Sequence, residues 1–279
     1  MLRTAIALPI VACAAIVSGA AFAQSRWPAG DELGMANNLG PATWARCAPM
    51  LADPMAKSYE VSHIRSNTMP QSPFGVPLVD KYSPTVGIPG TRHAFNGEQT
   101  VSGEPGAQGT QMDALGHFAV LPEPWNGQGE FPSGGAKYYG GYTQQQVKPS
   151  ADAPLQKLGI EKVPPIVTTA VLLDAKTHLG KGSAMQPGAV VTAADIEAML
   201  KAQGLDKRGL VPGDVLYIYT GWGDGWTDPD TGKTYYTKGP GLSYDGAKYI
   251  EDKQVVLVAL DNPFTDPVPD GMLQGKAAP

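Results

Sequence analysis

Glycine and proline limit the folds that this chain can adopt. Its 279 residues include 34 Gly and 26 Pro, concentrated in Gly75–Gly109 and Pro122–Gly141. Such stretches interrupt helices and strands and favour turns. The sequence therefore predicts short regular elements joined by long loops, with no internal repeat.

Three segments rich in β-branched and aromatic residues predict buried strands. They are Pro165–Asp174, Asp214–Trp222 and Gln254–Asp261. Thr192 suits the N-cap of a helix that ends at Gly204, and Ser243 precedes a shorter helix through Ile250. Strands that alternate with helices indicate an α/β fold, and no change in composition indicates a second domain.

The first residues are typical of a secretory signal peptide. A positive charge at Arg3 precedes an apolar run from Ala5 to Val17, and small residues follow at Ala21 and Ala23. We expect cleavage after Ala23, so that residues 1–23 are the signal peptide and residues 24–279 form one domain of a secreted or periplasmic protein. An alternative is a lipoprotein signal ending at Cys13.

Charge and composition argue against several classes of partner. The formal net charge is −5, and the chain has no block of Lys and Arg, so nucleic acids and anionic membranes are poor partners. No later segment approaches the roughly 20 apolar residues of a membrane span. Without its leader the chain has one cysteine, Cys47, and we expect it to fold without an internal disulfide.

The stretch GTQMDALGHF, Gly109–Phe118, carries the strongest candidate site. If it enters a strand, Gln111 and Asp113 share a face, and His117 returns over that face after a turn. A carboxylate beside an amide oxygen could then hold a divalent cation, and the imidazole could act as a general base. The alternative is structural: Asp113 caps a turn and His117 is a buried, hydrogen-bonded histidine.

Other polar and aromatic residues are weaker candidates. His93 and Phe95 lie in the long loop before this stretch and could line a substrate pocket, although loop aromatics often serve packing alone. His63 is expected at the end of a strand, in a structural role. His178 is expected in a surface turn.

The same stretch resembles the signature of the metal-dependent cyclase family, H-x-G-T-H-x-D-x-P-x-H. That family includes bacterial kynurenine formamidase, isatin hydrolase and a trans-dienelactone hydrolase. Four further segments resemble it in the expected order, from about Gly30 to Pro267: GDELGMANNLGP, VLLDAKTHLG, PGDVLYIYTGW and VVLVALDNPFTDP. The resemblance implies one α/β domain with a mixed β-sheet or barrel, flanked by helices and long loops.

The chain also departs from that signature. Ala107 and Gln111 stand where the family has its two metal-binding histidines, and Leu115 stands at the proline. The family also has a later histidine and glutamate that complete its metal site, whereas no histidine follows His178 here. We therefore expect the native polypeptide to continue beyond Pro279.

The resemblance implies a hydrolase in which metal-activated water attacks a cyclic or aryl amide or ester. Asp113 would hold a divalent metal, Mn²⁺ or Zn²⁺, Gln111 would ligate or position it, and His117 would move the proton. Conversion of N-formylkynurenine to kynurenine, a step of tryptophan catabolism, is the nearest implied activity. A dienelactone lactonase is equally compatible. A third hypothesis is an exported binding protein that takes up a small molecule without catalysis. The resemblance also implies a homo-oligomer.

Overall fold

The computed structural model describes residues 26–273, so the predicted signal peptide lies outside the described residues. The strands of this part are β1 (Val79–Tyr82), β2 (Val86–Gly87), β3 (Ala94–Phe95), β4 (Gln99–Ser102), β5 (Ala170–Asp174), β6 (Val190–Val191), β7 (Val215–Tyr219), β8 (Gly241–Leu242) and β9 (Leu257–Leu260). The α-helices are α1 (Pro41–Leu51), α2 (Gln144–Val147), α3 (Ala175–His178), α4 (Ala193–Ala202) and α5 (Tyr244–Asp252). Short 3₁₀ turns occur between them.

A parallel sheet in the order β5-β7-β9 forms the centre of the molecule. In its register Leu216 of β7 lies between Val171 of β5 and Val258 of β9. Buried apolar side chains of β5 and β7 pack with helices α4 and α5 into one core. The three predicted strands and the α/β fold are thereby confirmed. The predicted burial holds for most of β7, whereas β5 buries alternate side chains and β9 is half-buried along its length. Within residues 26–273 the sheets are open and do not close into a barrel.

Local backbone geometry sets the ends of these elements. The third predicted strand begins late, at Leu257, because Gln254 takes a left-handed φ of 57° as the chain leaves α5. The second ends at Tyr219, before Gly221 with φ 79°. Thr192 caps α4 as predicted, since its side chain accepts a hydrogen bond from the Asp195 N–H.

A long antiparallel hairpin precedes this core, and we call residues 79–102 the hairpin arm. Strand β1 pairs with β4 and β2 pairs with β3, and the bond from Ser83 N to Glu98 O joins the two pairings. Gly97 lies at this junction, where a Cβ would approach the Ser83 side chain to 2.4 Å. Within the arm only Asp80 is buried.

Two sequence predictions of strands are wrong. Gly109–Phe118 is irregular backbone with a turn at residues 115–117, and residues 59–66 around His63 are irregular and mostly exposed. Neither segment pairs with a neighbouring strand within the described residues, so alternation of side chains does not apply to them. In residues 26–273 the structure has no helix long and apolar enough to cross a membrane.

Candidate active site

Backbone and side-chain hydrogen bonds anchor the start of the signature stretch. Gln108 is fully buried, and its amide bonds both the N–H and the C=O of Ser72. The Gly109 N–H donates to the Tyr236 hydroxyl over 3.2 Å. Thr110 accepts from the His63 N–H through its Oγ1, and from Arg65 through its carbonyl. The stretch is thus held against two other segments of the chain.

A tight turn then positions His117. The Gly116 N–H donates to the Leu158 carbonyl over 3.0 Å, and the His117 N–H closes the turn onto Ala114 O. A Cβ at Gly116 would lie 2.9 Å from both the Leu155 side chain and the Leu158 carbonyl oxygen. Only glycine allows this approach, so Gly116, which falls on an unspecified position of the family signature, has a packing reason.

Leu158 itself is held in an uncommon conformation by Glu32. Leu158 is 1% exposed and has a left-handed φ of 63°. Its N–H donates to Glu32 Oε2, and Lys157 and Lys162 bond the same carboxylate at 2.8 and 2.5 Å. Burial alone would raise the pKa of Glu32, but these hydrogen bonds lower that pKa to about 2. Glu32 therefore supports the turn that carries His117.

The three signature side chains converge at the surface. Asp113 Oδ2 lies 3.5 Å from Gln111 Nε2 and 4.0 Å from His117 Nε2. The side chains of His117 and Asp113 are 56% and 39% exposed. His117 is therefore not a buried core histidine. Its ring also contacts Phe118 edge to face. The arrangement offers a carboxylate, an imidazole and an amide to one small volume open to solvent.

The donors suit some metals better than others. Among residues 26–273 no group of three or more His, Cys, Asp or Glu side chains could hold a metal ion. Gln111, Asp113 and His117 together supply one imidazole, one carboxylate and one amide oxygen, which does not match a closed zinc site of four protein ligands. Such an oxygen-rich set fits a harder ion that keeps several waters, such as Mn²⁺.

Three aromatic residues that the sequence analysis did not name, Trp226, Tyr235 and Tyr236, lie with His63 beside the signature. The His63 ring stacks on Trp226 at 4.4 Å with an interplanar angle of 2°, and Trp226 contacts Tyr235 edge to face. Partial burial lowers the pKa of His63, and the Asp261 carboxylate opposes that shift. Burial raises the pKa of Tyr236, the partner of Gly109. Their contacts are long-range, so no local sequence signal marks them.

The remaining candidates lie elsewhere. His93 and Phe95 are exposed on the hairpin arm, where Phe95 pairs with Val86. Within the described residues no hydrogen bond, ion pair or ring contact links either side chain to the signature, and their substrate role stays a prediction. His178 is exposed at the end of α3.

A cavity of about 500 Å³ lies at the carboxyl end of β5 and β7, the usual ligand-binding edge of a parallel sheet. Trp222, Tyr235 and Lys176 line it together with Asp224, whereas the three signature residues do not. Lys176 Nζ lies 2.6 Å from Asp224 and 3.3 Å from the Tyr219 hydroxyl. The hydrogen bond with Asp224 raises the pKa of Lys176, and the same bond lowers the pKa of Asp224.

Comparison with known proteins agrees with this architecture. The Cyclase family model matches residues 59–267. The crystal structure of a novel cyclase is 25% identical, with a TM-score of 0.70 over 89% of this chain and 78% of that one. Isatin hydrolase A from Ralstonia solanacearum is 15% identical, with a TM-score of 0.52 over 85% and 78% of the two chains, a likeness of fold alone. No curated protein sequence matches significantly.

The matched range contains the signature, the hairpin arm and the three central strands. It covers most of the chain and agrees with the resemblance of the signature. The chain therefore belongs to the cyclase family.

Proposed function

We propose that this protein is a hydrolase that cleaves a cyclic or aryl amide or ester at the signature residues. The observation that carries the proposal is the convergence of Gln111 and His117 on Asp113, within 3.5 and 4.0 Å of one carboxylate oxygen. All three side chains are exposed and accessible to a substrate. Hydrolysis needs a proton acceptor, a group that fixes it and room for water, and this surface provides them.

His117 is the proposed general base. It takes a proton from the attacking water and passes it to the nitrogen or oxygen that leaves when the C–N or C–O bond breaks. Asp113 stabilises the imidazolium that forms, because its carboxylate lies 4.0 Å from His117 Nε2. Gln111 orients Asp113 through its amide. Phe118, 73% exposed beside His117, offers an apolar face to an aromatic substrate.

Asp113 and Gln111 would hold a divalent ion, with His117 beside it. The chemistry that such an ion supplies when bound is polarisation of a carbonyl and acidification of a water. Because the donors are mainly oxygen atoms, we propose Mn²⁺ in preference to Zn²⁺. Gln111→His adds an imidazole and should shift the binding preference towards Zn²⁺, as measured by calorimetric titration of each ion.

Within this class we propose N-formylkynurenine as the first substrate to test, with a dienelactone as the second. A non-catalytic binding protein is the competing function, since no group of three His, Cys, Asp or Glu side chains in residues 26–273 could hold a metal.

We also propose a secreted or periplasmic location, from the signal peptide that the sequence predicts, and a homo-oligomer.

The test compares two exposed histidines. His117→Ala should lower turnover of N-formylkynurenine, dienelactone or isatin by about two to four decades, while His178→Ala on α3 leaves it unchanged. Absorbance assays with added Mn²⁺, with Zn²⁺ and with chelator measure the rates. Equal rates for the two variants would remove His117 from the mechanism. Binding of these compounds by calorimetry without turnover under any condition would favour the binding protein.

A further inference from the structure

The cavity at the carboxyl end of β5 and β7 lies apart from the signature, and we call it the sheet-edge cavity. Its volume of about 500 Å³ is within the range of small-molecule sites. Lys176 and Asp224 line it with opposite charges, and Trp222 and Tyr235 line it with aromatic rings. The cavity therefore combines a cation, an anion and an aromatic wall at the edge of the sheet where ligands usually bind.

The Lys176 side chain is held in place along its length. It leaves the short helix α3, which follows β5 directly. Its stem lies on the backbone of Gly221, where a Cβ would approach Lys176 Cδ to 2.8 Å. Gly221 also has a left-handed φ of 79°, so both the turn and the close approach require glycine. The ammonium group lies 5.5 Å from the centroid of the Tyr219 ring and so has a defined position at the cavity.

Lys176, Tyr219 and Asp224 form a closed ring of hydrogen bonds. Lys176 Nζ donates to Asp224 Oδ2 over 2.6 Å and to the Tyr219 hydroxyl over 3.3 Å, and that hydroxyl donates to Asp224 Oδ1 over 2.7 Å. An ammonium group has three N–H donors, and a carboxylate can accept about four hydrogen bonds. Within residues 26–273 the ring uses two of each. Both charged groups can therefore bind a ligand while they stay paired with each other.

The charges of this pair favour a zwitterion as the ligand. A ligand with a single charge is attracted by one member of the pair and repelled by the other, whereas a zwitterion meets an opposite charge at both. In an α-amino acid the ammonium nitrogen and the carboxylate oxygens lie roughly 3 Å apart. That separation is similar to the 2.6 Å between Lys176 Nζ and Asp224 Oδ2. The four charged groups can therefore alternate in sign around a square.

The Trp222 ring offers a surface to the side chain of such a ligand. Its Nε1 donates to the Tyr235 carbonyl over 3.2 Å, and its backbone N–H donates to Thr220 Oγ1, so the ring is fixed. Trp222 and Ala184 also line an adjacent cavity of about 490 Å³, which gives a bulky side chain room. An aromatic ring gains more from packing on tryptophan than a small side chain does. The site therefore favours aromatic amino acids over glycine.

We propose that the sheet-edge cavity binds an aromatic α-amino acid, with its carboxylate at Lys176, its ammonium at Asp224 and its ring against Trp222. The proposal is independent of the hydrolase function, because Gln111, Asp113 and His117 do not line this cavity. A free amino acid such as phenylalanine also has no amide or ester bond to cleave. Its binding can therefore be measured whether or not the signature residues catalyse hydrolysis.

Calorimetric titration of the wild-type protein with L-phenylalanine tests the proposal, and we expect saturable binding. Two probes of the same shape each keep one charge: 3-phenylpropionate has only the carboxylate, and 2-phenylethylamine has only the ammonium. Each should bind more weakly by about tenfold or more, because one charge-assisted hydrogen bond is lost and one like charge is left unbalanced. Glycine, which has both charges but no ring, should also bind more weakly.

Variants place the ligand in this cavity. Lys176→Met and Asp224→Asn should each weaken binding of L-phenylalanine by about tenfold. Lys248→Met is the matched control, because Lys248 pairs with Glu251 on α5 and does not line the cavity. Equal binding by the three variants overturns the proposal. So does L-phenylalanine that fails to bind the wild type, or that binds it no better than any one of the three probes. The comparison of ligands needs the wild type alone, so it decides the matter even where a variant fails to fold.

Discussion

The region around the central sheet (residues 165–261) and the region that carries the signature (residues 59–132) are held together in different ways. In the sheet region, apolar side chains of strands and helices form one continuous buried core. The signature region buries few residues: Met69, Pro70, Ser72, Leu78, Asp80, Gln108 and Gly116. Specific hydrogen bonds from side chains to backbone keep it in place, such as those of Gln108 and Asn67.

This difference assigns separate tasks to the two regions. Burial of apolar area supplies most of the free energy of folding, so the sheet region determines global stability. A region with little buried area depends on individual polar contacts and changes shape when one is lost. We therefore expect core substitutions to lower global stability, and substitutions near the signature to lower activity more than stability.

The largest effect is expected in the sheet. Leu216→Ala removes a fully buried side chain from the middle of β7 and should lower the free energy of unfolding by about 3 kcal/mol. Leu172→Ala on the adjacent strand β5, where the side chain is 57% exposed, is the control and should cost less than about 1 kcal/mol. Urea unfolding measures both. Similar losses would mean that burial does not decide the cost of a substitution in the sheet region.

Gly116→Ala tests the turn that holds His117. Its Cβ would lie 2.9 Å from the Leu158 carbonyl oxygen, so the turn must move, at a cost of about 2 kcal/mol. Turnover should fall with it, because His117 is displaced. Gly106→Ala, ten residues earlier and with no atom within 4 Å of its Cβ, is the control. We expect it to keep both stability and activity; a Gly116→Ala protein that matches it would show that the turn tolerates a side chain.

The same contrast explains what the sequence could predict. The strands were predictable because burial in a core imposes a hydrophobic pattern on the local sequence. The cap was predictable because the first turn of a helix needs a side-chain acceptor such as that of Thr192. The hairpin arm has no such pattern, since its own chain does not bury it. The signature stretch was wrongly predicted to enter a strand, because polar contacts with Ser72 and Tyr236 leave no periodic signal.

The candidate site was predictable only in part. Proximity in sequence was enough to suggest that Gln111, Asp113 and His117 lie together. In the structure Gln111 Nε2 and His117 Nε2 lie within 4.0 Å of Asp113 Oδ2. The distant residues that hold this stretch in place were not predictable. Glu32 acts through Leu158, more than 120 residues away in sequence, and the stacking of His63 on Trp226 is equally remote.

The smallest expected effect concerns Glu32 and pH. The folded-state pKa of Glu32 is about 2, below its ordinary 4.5, so the unfolded chain binds the proton more readily than the folded protein. The resulting stabilisation is complete above pH 4.5 and is lost as the pH falls towards 2. Glu32→Gln should therefore lower the free energy of unfolding at pH 7 by between about 1 and 2 kcal/mol, with a smaller difference from wild type near pH 2.5.

Urea unfolding of the wild type and Glu32→Gln at several pH values between 2.5 and 7 measures this difference; Glu123→Gln, at an exposed loop carboxylate, is the control. Because Glu32 holds the Leu158 N–H and Leu158 holds Gly116, the variant should also loosen the turn at His117 and reduce turnover at neutral pH. A loss of stability that is the same at every pH would mean that the Glu32 side chain acts through packing. A loss of stability with full activity would mean that the turn at His117 keeps its position without the Glu32 hydrogen bonds. The signature region would then depend less on single polar contacts than we infer.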